Sequence, residues 1–221
     1  STGSRYLNAI LDNRGVLLVD EVLTINKPGA YHKNSGTFLL NSDNLNITQS
    51  GTTPIPVFTN SGKINISNGL TFTISGGIFN NNSGIYDGTG AISITGNCTA
   101  YINNNLTNTI TIKIANSVIS GTGTIFNLGN IELSNSVINA DLINRNRIWT
   151  YYDNNAINGT YANDTDAQLN IIGIYSYYAK LTFAKGFTNS GTITLTNNYY
   201  SDATLNVTSD TLINAANGVI N

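Results

Sequence analysis

An all-β solenoid, a right-handed parallel β-helix, is the fold class this sequence predicts, and three observations predict it. The first is composition. Only 10% of residues are charged, Met is absent, and Glu occurs only at Glu21 and Glu132. Depletion of Glu, Lys, Ala and Met disfavours helices, while abundant Ile, Thr and Tyr favour strands. The second is a repeated motif. Residues 187–195 (Phe-Thr-Asn-Ser-Gly-Thr-Ile-Thr-Leu) nearly duplicate residues 58–66 (Phe-Thr-Asn-Ser-Gly-Lys-Ile-Asn-Ile). The third is its spacing. Copies start at Leu11, His32, Phe58, Phe79, Tyr101, Phe126, Leu142, Phe187 and Leu212. Successive starts lie roughly 20 to 25 residues apart, a solenoid period, with one gap of about twice that between Leu142 and Phe187.

Each part of the motif has a physical meaning. Asn and Gly tolerate positive φ, so Asn-x-Gly is a corner. The alternating run after it is a short strand with one face buried. Further alternating runs lie between the copies, at Leu45–Ile47, Leu70–Ile74, Ile110–Ile114, Leu169–Ile171, Leu181–Phe183 and Leu205–Val207. A unit of roughly 22 residues therefore holds two or three strands. A β-sandwich has no reason to repeat one turn at a constant period, whereas a parallel β-helix places the same turn at the same corner of every coil. Nine or ten coils at about 4.8 Å each predict a rod on the order of 45 Å long. Ile, Leu, Val and Phe would fill a narrow core. Many of the 37 Asn residues would stack at equivalent corners as hydrogen-bonded ladders.

Two places interrupt the repeat. Pro54 and Pro56 mark a loop out of the coil, because proline cannot donate to a central ladder. A Tyr-rich stretch from Trp149 to Lys180 predicts an inserted loop or hairpin over roughly residues 149–180. The whole of residues 1–221 is expected to be one β-helix domain. The start, Ser1-Thr2-Gly3-Ser4, lacks the regions of a signal peptide. The last residues, Gly218-Val219-Ile220-Asn221, stop in mid-pattern, so a segment of a longer protein is expected.

Charge and motif content narrow the function classes. A net charge of −2 with scattered basic residues provides no footprint for nucleic acid. No apolar run approaches the roughly 20 residues of a spanning helix, so no membrane insertion is expected. The single cysteine, Cys98, rules out an internal disulfide and reads as a buried structural thiol. His32 is the only histidine, so no triad or His-based metal motif is available, and neither cofactor nor metal is expected. Asp141, Asp153, Asp164 and Asp166 sit in Asn/Gly-rich turns, where Asp is usually turn chemistry. Asp141, Arg145 and Arg147 are the nearest approach to a lyase-like set.

The aromatic excess rises above scaffold. Trp149, Tyr151, Tyr152, Tyr161, Tyr175, Tyr177 and Tyr178, with Tyr199 and Tyr200 a coil later, are the candidate carbohydrate-binding residues. Flat rings meet the apolar faces of sugars, and neighbouring Asn amides can bond the hydroxyls. The competing explanation is packing of the core or of the inserted loop.

The motifs at residues 58–66 and 187–195, with Gly-Gly-Ile-Phe-Asn-Asn-Asn-Ser-Gly at 76–84, resemble repeats of right-handed parallel β-helix surface adhesins. These are the filamentous-haemagglutinin-type exoproteins and autotransporter passengers. The Asn/Thr-rich coils and Tyr-rich stretch are also similar to tāpirins, the β-helical cellulose-binding proteins. The resemblance implies an extracellular, cell-surface attachment role. The expectation is thus a monomeric, non-catalytic adhesin module binding an insoluble polysaccharide such as cellulose, or a host surface. A structural stalk and a pectate-lyase-like enzyme are the alternatives.

Overall fold

The structure, a computed structural model, describes residues 3–152, 154–174, 177–197 and 201–221. It is a parallel β-solenoid of about ten coils with no helix among the described residues. Each coil is three short strands joined by tight corners. The first strand of every coil joins one eleven-stranded sheet (side I) and the second a ten-stranded sheet (side II). The third side is split. Its first four strands form one sheet and its last six another. Every pairing between coils is parallel and in register, for example Ile131 with Ile148 and Leu169 with Ile193.

Alternation puts one residue in two inward. The core residues Ile64, Phe72, Ile92, Ile131, Ile148 and Ile193 are fully buried. Aromatic rings concentrate in two plugs. Phe38, Phe58, Phe72 and Phe79 pack with centroids 5.4–6.0 Å apart in the early coils. Tyr161, Phe183 and Phe187 pack at 4.3–4.9 Å in the later ones. Stacked and edge-on rings at these distances add to the burial of their surface.

The Asn-x-Gly motif builds two ladders of buried amides. In the first, Asn13 donates through Nδ2 to Asn34 Oδ1, Asn34 to Asn60, and Asn60 to Asn81, at 2.7–3.0 Å. In the second, Asn108, Asn127, Asn144, Asn163, Asn189 and Asn214 are linked in the same direction at 2.7–2.8 Å. Spare Nδ2 capacity goes to strand carbonyls, such as Asn127 to Arg147 O at 3.0 Å and Asn144 to Gln168 O at 3.0 Å. Buried amides left unpaired would be costly, and here they are paired.

The ladders stand at different corners, which differs from the expectation of one turn at one corner throughout. Asn60 ends a strand of side II, whereas Asn189 ends a strand of side III. The near-duplicate stretches 58–66 and 187–195 therefore make the same local bend at two different corners of the prism. The switch falls between residues 81 and 108. An inserted residue lets Asn81 donate to Gly84 O within its own turn, and the next coil presents Ile102 where the ladder would continue. The four-plus-six split of side III coincides with this change of corner.

The long gap between Leu142 and Phe187 hides a motif copy. Tyr161-Ala162-Asn163 is a strand in register with Leu142-Ile143-Asn144, and Asn163 is a rung of the second ladder. Strands Arg147–Tyr151, Asn155–Ile157, Tyr161–Asn163, Gln168–Gly173 and Ala179–Phe183 run through the region and pair with both neighbours. The expected insertion over 149–180 thus reduces to a local excursion after Gly173. Tyr stands for the usual Phe or Leu at that inward position, which disguised the repeat.

His32 is buried in the first aromatic plug beside Phe58, and its Nδ1 accepts the Leu11 N–H at 3.1 Å. Burial holds its pKa below the ordinary imidazole value. Burial also pushes the Cys98 thiol up to about 12, in keeping with an inert structural cysteine.

Two outcomes are expected. Asn144→Ala removes a rung and strands its partners, each unsatisfied buried group costing about 1–3 kcal/mol; urea unfolding should show this as a lower midpoint. A neutral imidazole in the fold means the unfolded chain binds a proton first as pH falls. Stability is then full above about pH 6.5 and declines below it, by at most about 1.4 kcal/mol per pH unit. No other histidine exists, so the decline between pH 7 and 5, followed by thermal unfolding, should be flattened in His32→Phe.

Candidate functional site

The predicted aromatic residues divide into three groups. Tyr161 is in the core: it is 7% exposed, rings of Phe183 and Phe187 lie against it, and its hydroxyl donates to Asn163 Oδ1 at 3.1 Å. Burial raises its pKa. It is a structural residue and not part of any surface, because alternation points it inward. Tyr175, Tyr199 and Tyr200 lie outside the described residues. The remaining five, Trp149, Tyr151, Tyr152, Tyr177 and Tyr178, gather at one place, the corner between sides I and II in the eighth and ninth coils.

Trp149 and Tyr151 point outward from the side I strand Arg147–Tyr151, both half-buried. Their rings are parallel, with centroids 6.5 Å apart and 2° between planes. The Arg147 guanidinium lies 5.4 Å from the centre of the Trp149 ring and donates through Nε to Gln168 Oε1 at 3.2 Å. Burial, with Glu132 nearby, raises the Tyr151 pKa. Tyr152 turns the corner in the left-handed region at φ 66°, so its side chain leaves the strand alternation.

One coil later the chain overshoots this corner. Strand Gln168–Gly173 runs six residues, and Ile174 and Tyr177 exchange backbone hydrogen bonds in an antiparallel bridge. This bridge projects Tyr177 and Tyr178, which are 58% and 53% exposed. Tyr177 meets the Tyr152 ring edge-on at 5.1 Å. Together Tyr152, Tyr177 and Tyr178 form an aromatic wall beside a groove floored by Asn116, Ser134, Asn135 and Asn154.

The groove floor was missed by the search for Asn-x-Gly. Its residues belong to a second repeat with a 19-residue period, read as Asn97-Cys98, Asn116-Ser117, Asn135-Ser136 and Asn154-Asn155. In each pair the first residue is exposed and left-handed, with φ between 48° and 65°. The second is buried and links the coils. The Ser117 N–H donates to Ser136 Oγ and the Ser136 N–H to Asn155 Oδ1, each at 3.2 Å. Constant spacing was the available signal, but no Gly marks this turn.

The carboxylates and arginines considered for catalysis have other partners. Asp141 Oδ1 accepts the Thr160 N–H at 2.7 Å, and Arg145 pairs with Asp164 at 3.0 Å. Asp166 is an exposed turn residue at φ 65°. Arg147 lies against Trp149 on another side of the coil from Asp141. Asp153 lies outside the described residues. No helix is long and apolar enough to cross a membrane.

Comparison with protein-family models, with curated proteins and with solved structures finds no match for this chain.

Proposed function

We propose that this solenoid is a non-catalytic attachment module of a cell-surface protein and that it holds an insoluble polysaccharide such as cellulose. The observation that carries this reading is the convergence of Trp149, Tyr151, Tyr152, Tyr177 and Tyr178 on one corner, beside a groove floored by amides and a hydroxyl. Two tyrosines half in solvent are an exposed apolar surface that a soluble protein has no folding reason to keep. Tyrosine is amphipathic: its ring meets the apolar face of a sugar and its hydroxyl stays wet. Amides offer both donor and acceptor to sugar hydroxyls. A rigid scaffold suits the task, because rings held by paired strands lose little freedom on binding.

The five residues divide the work. Tyr177 and Tyr178 are the accessible faces. Tyr152 orients Tyr177 by an edge contact. Arg147 and Tyr151 pack around Trp149, which fixes the floor of side I next to the groove. The family resemblance supports an extracellular setting. The length and regularity of the rod favour a second role as a spacer, carried by the same ladders.

Sedimentation with insoluble polysaccharides tests this reading. The wild-type segment should co-sediment with cellulose. Tyr177→Ala with Tyr178→Ala should weaken retention by about tenfold or more, the equivalent of roughly 1.4 kcal/mol, and Trp149→Ala with Tyr151→Ala by less. Retention unchanged by both pairs would remove the aromatic corner from consideration, and no retention on any polysaccharide would leave only the spacer role.

A further inference from the structure

The exposed asparagines on the groove floor form a row along the solenoid axis. Asn97, Asn116, Asn135 and Asn154 occupy one corner in four successive coils. All four are exposed, and none of their side-chain amides has a hydrogen-bond partner among the described residues. This separates them from the ladder asparagines, whose amides are buried and saturated. The turn itself does not need an amide. In the preceding coil Gly76, at φ 75°, stands at the same corner and makes the same bend. Four consecutive coils therefore each carry a free amide that the backbone does not require.

Neighbouring coils of a parallel sheet are about 4.8 Å apart, so the four amides span about 14 Å. An extended, β-linked sugar chain advances by nearly that step per unit. No described residue lining the groove on either side of the row is charged, so an ionic polymer finds no counter-charge there. At one end the row runs into Tyr152, Tyr177 and Tyr178, which give a ring face on which a sugar can stack. Beyond Asn97 the row ends at Gly76, which has no side chain.

We propose that Asn97, Asn116, Asn135 and Asn154 form a binding track for a single extended, neutral, β-linked glycan chain, lying parallel to the solenoid axis with one end against the Tyr177–Tyr178 wall. The proposal rests on the polysaccharide reading above and makes it specific: the ligand is one chain read along its length, not a crystalline face. Each amide addresses one sugar unit, and affinity accumulates with chain length until the row is filled.

Calorimetric titration with soluble β-1,4-linked gluco-oligosaccharides of two to six units tests this. Affinity should rise roughly three- to tenfold with each unit added, the worth of one or two hydrogen bonds, and level off near five units. Asn116→Gly with Asn135→Gly deletes two amides while preserving left-handed backbone, which glycine adopts readily. An unchanged thermal midpoint would show that the coil is intact, and six units should then bind no better than two. Tyr177→Ala should weaken every length by a similar factor. Affinity independent of length, or a glycine double variant that binds as the wild type does, would overturn the track while leaving retention on insoluble cellulose to stand. Failure of the wild type to bind either soluble or insoluble glucan would overturn both.

Discussion

The buried side-chain amide of asparagine is the constraint on which this solenoid depends. An amide has two donors and one acceptor oxygen, and burying it without partners is expensive. The least costly arrangement is another asparagine one coil away, at the same height in the strand. Once Asn127 donates to Asn144 and Asn144 to Asn163, a one-residue slip of any strand would break the rung and turn core residues to solvent. The ladders thus hold the register that the flat alternation of Ile, Thr and Ser would leave weakly specified. All rungs run in the same direction, as parallel stacking requires. The surface ion pairs, such as Arg14 with Asp12 and Lys63 with Asp87, are largely exposed and add little.

A ladder at one corner relieves the others. In the later coils register is held between sides III and I by the six-member stack, while the corner between sides I and II carries only short links through Ser117, Ser136 and Asn155. That corner can lengthen its strands, admit the Ile174–Tyr177 bridge and expose four asparagines without loss of register. The candidate binding surface lies where the repeat is least constrained, yet it is attached to coils that are fixed elsewhere. Rings and amides on such a scaffold are placed with little entropy left to lose.

Much of this was legible in the sequence. The period, the strand alternation and the ladder asparagines follow from Phe-x-Asn-x-Gly and from the physics of turns and pleats. The aromatic excess between Trp149 and Tyr178 pointed to the right part of the chain. Tyr161 shows where that signal failed: an inward Tyr and an outward Tyr look alike, and only its position two residues before Asn163 assigns it to the core. The expected 149–180 insertion failed for the same reason. The amide row was concealed differently, since its turn uses a left-handed Asn with no Gly to announce it.

What the sequence by itself determined is the shape of each corner. Asn and Gly permit the bend, the apolar residue before them points inward, and the strand after them alternates. Only the tertiary structure decided which corner each motif occupies. Residues 58–66 and 187–195 encode one local bend, but the first stands between sides II and III and the second between sides III and I. The sides of the coil share the same alternating pattern, so local chemistry does not distinguish their corners. The choice comes from the neighbouring coil, because an asparagine amide is satisfied only beneath another asparagine. The same stacking brought Asn116 and Asn135 beside Tyr177, residues too far apart in the sequence to be associated by any local rule.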